Sequence, residues 1–402
     1  MKPSRTRFGL SINAALMFAS LVLTPLLASA AEDAEKLELA KQEAFRNGVE
    51  AIVADLNSGS YQSFISAIDR RAMIERIYGL RLIDQQVKKQ FSSQMEGSFD
   101  NMIESEFAAP EEGLKATLLG IESRGDRGRA VVRFDYPKFE FNYHEYDLLL
   151  DSQNRLIVVD WTDYIAGTDF SDSVGQLLVM SAPSKSAMRK LLDFQNVNDR
   201  DLFEFGELLK AARDTQLDRY LEIHGRLEPR FQRQRIVVET SVRVARQARK
   251  RRQMIGALGI MAEMFPDEPL YALMLLDYYF PARKYEEAMR ALQNLSEQLD
   301  FPDAAMDARM SAAALVMGKP QDAAAFADRA LEIEPGLELA WWSALGARVE
   351  LADFKGSVEI LQKLESEFGW DLGPDKLKKN QQYAQLLVSA EFKSWVESKQ
   401  QN

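Results

Sequence analysis

The feature that most constrains the fold is a segment that recurs in the second half of the chain. Its three copies begin at Tyr285, Pro320 and Phe354. A small residue stands three positions into each copy, and these residues are Ala288, Ala323 and Ser357, separated by 35 and 34 residues. Units of this period stack on one another, because a single unit cannot bury its apolar face alone. The pattern therefore predicts an array of packed units.

The most complete unit has the signals of two helices joined by a tight turn. Gly318 is suited to ending the first helix, and Pro320 stands in the first turn of the second, where helices tolerate proline. Ala323 and Ala330 lie seven residues apart on one face, and such small side chains let two helices approach closely. Pro335 ends the unit. The sequence thus predicts a helical hairpin.

The next unit, residues 336–369, contains Trp342-Ser343-Ala344-Leu345-Gly346, which matches the W-x-x-L-G start of a tetratricopeptide repeat. By this segment and the period, residues 253–369 resemble the tetratricopeptide-repeat family. The first unit departs from the family motif, with Leu276 in place of Gly and Leu295 in place of Ala. The resemblance implies an all-α superhelical repeat domain.

Such an array presents a concave wall, made by the first helix of each unit, that binds a peptide or a partner helix. Residues 184–252 are expected to extend the superhelix, and a helix over residues 377–396 is expected to cap it. By position, the predicted partner-binding residues are Leu273, Asp277, Ala308, Ala312, Leu315, Ser343, Ala347 and Glu350. The alternative is that these small residues pack against a neighbouring helix or the first domain.

Residues 1–30 have the pattern of an export signal. A basic start precedes an apolar run from Leu10 to Leu27, and Ala28-Ser29-Ala30 is a small-x-small cleavage site. The mature chain is therefore expected to begin at Ala31, in the periplasm of a Gram-negative bacterium. A retained membrane anchor is the alternative, although the proline before the site favours cleavage.

Charge and cysteine content exclude several classes of function. The formal net charge is −11, and loss of the three cations in the signal leaves −14, which argues against general nucleic-acid binding. The chain has no Cys and only two His, His144 and His224, so disulfides, a thiol nucleophile and Cys- or His-cluster zinc sites are excluded. No catalytic residue, metal ligand or cofactor is predicted.

The first half reads as an α+β domain, with helices covering a curved antiparallel sheet. A helical period over residues 36–107 changes to a period of two, and the predicted strands cover residues 115–122, 129–136, 139–150 and 155–165. The long last hairpin, D-L-L-L-D-S-Q-N-R-L-I-V-V-D-W-T-D-Y, and the element order over residues 36–178 resemble the nuclear-transport-factor-2-like cone fold.

That superfamily includes isomerases and dehydratases with a pocket in the cone, which implies an alternative function. An isomerase needs a base and a group that stabilises an enolate. The strands offer Tyr143, His144, Tyr146, Asp160, Asp163 and Tyr164. Such residues near strand ends serve more often as hydrogen-bonding groups at a rim, and the sequence favours that interpretation.

Residues 226–252 break the acidic trend, with ten Lys or Arg against two acids. The predicted basic surface consists of Arg243, Arg246, Arg249 and Lys250. It would contact an anionic partner or anionic lipid headgroups. A solvated face, or an internal contact with the acidic remainder of the chain, is the alternative.

Together these features predict four segments: a signal over 1–30, the α+β domain over 31–178, a helical lead-in over 184–252, and repeats with a capping helix over 253–402. The expected function is that of a non-catalytic exported scaffold that binds a partner protein through the repeats. Small-molecule binding or isomerase-like activity in the cone is the alternative.

Cleavage after Ala30 is the first testable prediction. Expression in a Gram-negative host is expected to yield a periplasmic chain whose N-terminal sequence starts at Ala31. Ala30→Phe should accumulate the precursor, because the cleavage site requires small residues, whereas Ala34→Phe should be processed normally. An intact N terminus on the exported protein would contradict the prediction.

Overall fold

The computed structural model describes residues 12–107, 114–181, 184–192 and 197–400. The first of these segments forms α1 (Ile12–Asn57), α2 (Gln62–Ala67), α3 (Arg70–Gly79) and α4 (Gln85–Phe107). The second half of α1 buries one face at helical spacing, with Phe45, Val49, Ile52 and Leu56. α1 continues past the expected cleavage site, which stays a prediction. Residues 1–11 of the expected signal lie outside the described residues.

Five strands, β1 (Lys115–Arg124), β2 (Arg127–Tyr136), β3 (Glu140–Leu150), β4 (Leu156–Asp163) and β5 (Thr168–Asp169), form one antiparallel sheet in sequential order. The four long strands confirm the predicted meander. Two of its turns place Gly125 and Asn154 at positive φ, 62° and 57°, which glycine and asparagine tolerate.

The segment after β4 adds a short fifth strand before the next helix. Residues 167–173 contain β5 and the start of α5 (Phe170–Ser181). The reason is that Asp169 pairs with Thr162 across the sheet and accepts a 2.5 Å hydrogen bond from its hydroxyl. This pairing ties the chain to β4 before α5 begins.

One face of the sheet packs against α1–α5 through an aromatic cluster. The ring of Trp161 stacks on Phe170 at 4.0 Å, and Phe64 meets Trp161 edge-on at 5.2 Å. Tyr146 contacts Phe64 from the neighbouring strand at 5.5 Å. Offset and edge-to-face contacts of this kind fix ring orientation as well as burying area. They hold the helices on this face, as the α+β interpretation predicts.

Within the described residues, every regular element after β5 is helical. The lead-in contains α6 (Lys185–Leu192), α7 (Asp199–Arg213), α8 (Leu217–His224), α9 (Pro229–Gln232) and α10 (Arg235–Gln247). These helices share a core with the end of α5. Tyr220 lies in it and donates its hydroxyl to the carbonyl of Val237 at 3.0 Å, so its polar end is satisfied inside the core.

The segment that resembles tetratricopeptide repeats forms α11 (Arg251–Met264), α12 (Ala272–Tyr279), α13 (Tyr285–Leu299), α14 (Ala304–Val316), α15 (Pro320–Ile333), α16 (Glu338–Glu350) and α17 (Phe354–Phe368). The recurring segments are therefore the starts of α13, α15 and α17. Consecutive helices pack together, and α14 also packs on α16. Gly318 takes a φ of 71° between α14 and α15, as its position after a helix predicts.

The predicted single capping helix over residues 377–396 is wrong. The structure has α18 (Pro374–Leu377), a 3₁₀ turn (Gln381–Tyr383), α19 (Ala384–Val388) and α20 (Ala390–Gln400). The amide side chain of Asn380 accepts a hydrogen bond from the backbone of Gln382 at 3.1 Å, and Ser389 is extended, so neither can continue a helix. α20 still packs on α17.

Ala330→Leu is expected to destabilise the protein. Ala330 is fully buried in a cluster of alanines with Ala304, Ala308 and Ala340, and overpacking such a contact costs about 1–3 kcal/mol. Urea unfolding followed by circular dichroism measures the change. Ala325→Leu adds the same side chain at an exposed site of the same helix and should change stability by less than about 0.5 kcal/mol. Equal losses in the two variants would contradict close packing at Ala330.

Candidate binding cleft

The second face of the sheet packs against helices of the second half. Its apolar side chains share one core with residues of α10 to α14, and the sheet contributes Val131, Phe141, Tyr143 and Tyr164. Neighbouring residues of β2 point to opposite faces, so Val132 lies in the first core while Val131 lies in this one. Both faces of the sheet are therefore covered.

A buried ion-pair network fixes this contact. The guanidinium of Arg133, on β2, pairs with Asp303, with Asp135 at 2.8 Å and with Glu334 at 2.7 Å. Tyr143 donates its hydroxyl to the same Asp303 carboxylate. Burial alone would lower the pKa of Arg133, but the three carboxylates outweigh burial and raise it. Arg133 is thus charged and fully paired inside the structure.

A second contact between the sheet and the helices lies four residues earlier on β2, at Arg129. Arg129 pairs with Glu145 at 2.8 Å and donates to the carbonyls of Gln298 and Leu299 at 2.9 Å. Nearby, Gly120 lies beneath the ring of Phe301, where any Cβ would stand 2.2 Å from ring atoms. The connection between α13 and α14 therefore rests directly on β1 and β2.

An open cleft of about 560 Å³ lies where β3 and the β4–β5 turn meet α11, α12 and α14. It is lined by Glu140, Phe141, Ile165, Arg246, Arg251, Leu273, Met274, Leu276, Asp277, Phe280, Pro281 and Arg309. An adjoining cavity of about 240 Å³ shares Ile165, Arg246 and Met274 with it. Glu140, Arg251, Asp277 and Pro281 are exposed, so the cleft opens to solvent at its rim.

Backbone carbonyls of two loops of the sheet, one in the β4–β5 turn and one just before β3, hold two of the arginines in place. Arg246 donates to the carbonyl of Ile165 at 3.1 Å, and Arg309 donates to the carbonyl of Phe139. Burial lowers the pKa of both guanidinium groups. Burial also raises the pKa of Asp277, against the opposing effect of the nearby arginines. Arg246, Arg309 and Asp277 are therefore partly desolvated.

The predicted partner-binding residues do not form one surface. Leu273 and Asp277 line the cleft. Ala308, Ser343 and Ala347 are buried, and the hydroxyl of Ser343 donates to the carbonyl of Ala308 at 3.2 Å. Ala312 and Leu315 are half-buried, and Glu350 is exposed at the end of α16. Ala308 and Ser343 thus pack between α14 and α16, which is the alternative that the sequence leaves open.

The predicted basic surface is also divided. Arg249 and Lys250 are exposed between α10 and α11, whereas Arg243 and Arg246 are half-buried. Arg243 lies with its Nη2 atom 3.1 Å from the sulfur of Met180 on α5. The division arises because one side of α10 packs against α5 and the β4–β5 turn. Of the four predicted residues, Arg249 and Lys250 are the two that lie on an exposed surface.

The six strand residues considered for an isomerase do not converge on one cavity. Tyr143 and Tyr164 face the helices of the second half. On the other face Tyr146 packs against Phe64, and Asp160 pairs with Arg76 at 2.8 Å. His144 and Asp163 contact each other, with 3.6 Å between Nε2 and Oδ2. These polar side chains lie on both faces of the sheet and have partners within the fold, so they do not form one pocket.

Glu140 and Arg309 belong to the cleft but were not predicted. Arg309 reaches a carbonyl 170 residues earlier in the chain, and no local pattern on α14 marks it as different from other charged residues. Its cation lies 5.4 Å from the ring centroid of Phe141. Only the docking of sheet on helices brings these residues together.

Comparison with known proteins gives no relative: neither a family model nor a curated protein matches the chain. In the described ranges, none of the helices combines the length and apolar character needed to cross a membrane. Nor does that part of the chain contain a group of three or more His, Asp or Glu residues placed to hold a metal ion.

Asp303→Asn is expected to lower stability by about 2–3 kcal/mol, because it removes a buried counter-ion of Arg133. Asparagine still caps α14, so loss of the cap does not explain the effect. Asp353→Asn is the matched control, since Asp353 caps α17 at an exposed site. Urea unfolding of the full chain measures both variants. Equal small losses would show that the buried pair contributes little.

Proposed function

We propose that this chain is a non-catalytic, exported interaction scaffold that binds a partner protein at the cleft between its sheet and its helical repeats. The observation that carries the proposal is the open cleft itself, which joins Leu273 and Asp277 of the predicted recognition wall to β3.

The repeats supply a scaffold for such a site. Helix pairs that begin at regular intervals and pack on their neighbours support a tetratricopeptide-like superhelix. Fully buried small residues at the helix contacts, Ala323, Ala330 and Ser357, support close stacking of the units. A rigid array of this kind presents a binding surface whose side chains are ordered before the partner arrives, which lowers the entropic cost of association.

The cleft has both an apolar wall and a polar rim, as protein-recognition sites do. Phe141, Leu273 and Phe280 supply apolar surface, while Glu140 and Arg251 stand at the exposed rim. An extended segment or a short helix can place apolar side chains against such a wall and polar groups at the rim.

A small-molecule site in the first domain is the second candidate. It is favoured by a cavity of about 300 Å³ lined by Ile65, Ile68, Arg70, Phe99 and Ile103. These residues supply apolar surface and one cation, and none of them is a carboxylate or His base. The cavity therefore suits binding of an apolar compound better than isomerase chemistry.

Site-specific photo-cross-linking in cells tests the proposed function. A benzoylphenylalanine residue at Pro281, on the rim of the cleft, is expected to give a discrete adduct with a second protein. The same group at Glu286, which is exposed on α13 outside the cleft, should give none. Adducts of equal yield at both positions, or none at Pro281, would contradict binding at the cleft.

A further inference from the structure

Three arginines in the cleft differ from most others of the chain in having no carboxylate partner. Arg246, Arg251 and Arg309 have no carboxylate oxygen of the described residues within 4.0 Å. Nearby, Arg233 pairs with Glu263 at 3.0 Å and Arg235 with Glu268 at 3.3 Å. Arg246 and Arg309 are half-buried. A guanidinium has five N–H donors, and a partly desolvated one without a carboxylate in contact is costly to keep.

Two of these three guanidinium groups are already oriented. Arg246 and Arg309 each donate to one backbone carbonyl beside the sheet, and Arg309 also lies over Phe141. Their remaining N–H groups have no acceptor among the described residues. Because the ligand does not have to order these side chains, an anion that enters the cleft gains charge-assisted hydrogen bonds at small entropic cost.

The local charge limits what kind of anion fits. Glu140 and Asp277 also line the cleft, so three arginines against two carboxylates leave a single positive charge. A singly charged carboxylate balances that charge. A phosphate dianion would leave an excess of negative charge close to Glu140 and Asp277, which Coulomb repulsion disfavours.

We propose that the cleft binds the side-chain carboxylate of an extended, partly apolar segment of the partner protein, held by Arg246, Arg251 and Arg309. This inference rests on the proposed function and adds the chemistry of the ligand. The apolar neighbours of the carboxylate lie against Phe141, Leu273 and Phe280. The exposed rim lets the segment enter and leave the cleft without opening the fold.

Calorimetric titration of the purified full chain with blocked peptides tests the proposal. The probes are acetyl-Ala-Leu-Glu-Leu-Ala-amide and its Gln counterpart, in which the side-chain carboxylate is the single difference. The Glu peptide is expected to bind at least about tenfold more tightly. Equal affinities, or no binding of the Glu peptide, would overturn the proposal.

Substitutions that remove a positive or a negative charge from the cleft test whether the difference in peptide affinity arises there. Arg251→Gln should weaken binding of the Glu peptide about threefold to fivefold, as expected for an exposed charge pair. The adjacent Arg252→Gln is the matched control and should leave affinity unchanged, because Arg252 is exposed and does not line the cleft. Asp277→Asn should tighten binding about threefold by removing a like charge. A uniform response of all three variants would overturn the assignment.

Further probes separate this inference from the proposed function. Hexanoate that binds as tightly as the Glu peptide would indicate a site for small organic acids and overturn the peptide assignment. Tighter binding of inorganic phosphate would overturn the carboxylate assignment. If Pro281 cross-links to a partner while the Glu and Gln peptides bind alike, the proposed function stands and this inference is wrong.

Discussion

The buried guanidinium of Arg133 is the interaction on which the arrangement of the two halves depends. A charge taken out of water is tolerated only with counter-ions and satisfied hydrogen bonds. Arg133 obtains them from its own strand through Asp135 and from the distant helices through Asp303 and Glu334. Because those partners lie in connections before α14 and before α16, the network ties both connections to β2.

The cleft follows from this contact between sheet and helices. The sheet contacts α10 to α14 with its second face, and the cleft lies beside the β4–β5 turn and the start of β3. Between these two segments and α12 an open volume remains, and backbone carbonyls next to the strands orient arginines that belong to the helices. The cleft and the Arg133 network therefore use the same kind of contact, a guanidinium of one half and an oxygen of the other.

The local parts of this structure are predictable from the sequence, whereas the long-range contacts are not. The starts of α13, α15 and α17 follow from capping, proline and small-residue signals, and the meander follows from a period of two between turn residues. The break between α19 and α20 depends on Ser389, which no strong signal marks. The contact of Arg133 with Asp303 spans 170 residues, so residue patterns within one element could not predict it.

The lack of information about long-range contacts also explains why the structure separates residues that the sequence placed in one candidate site. Leu273 and Asp277 were predicted from repeat position, which identifies the first helix of a unit, and both line the cleft. Arg243 and Arg246 were read as surface residues because a helical face of cations is usually solvated. The sheet that half-covers them comes from residues far earlier in the chain.

Covering the sheet on both faces has a consequence for the order of folding. Ala130 to Phe134 are all buried, but the helices that cover Val131 begin only with α10, about a hundred residues later. A chain made from its N terminus therefore presents a bare apolar sheet until those helices follow, and exposed surfaces of this kind promote aggregation. The helices of the second half therefore cover the second face of the sheet, and they are synthesised after it.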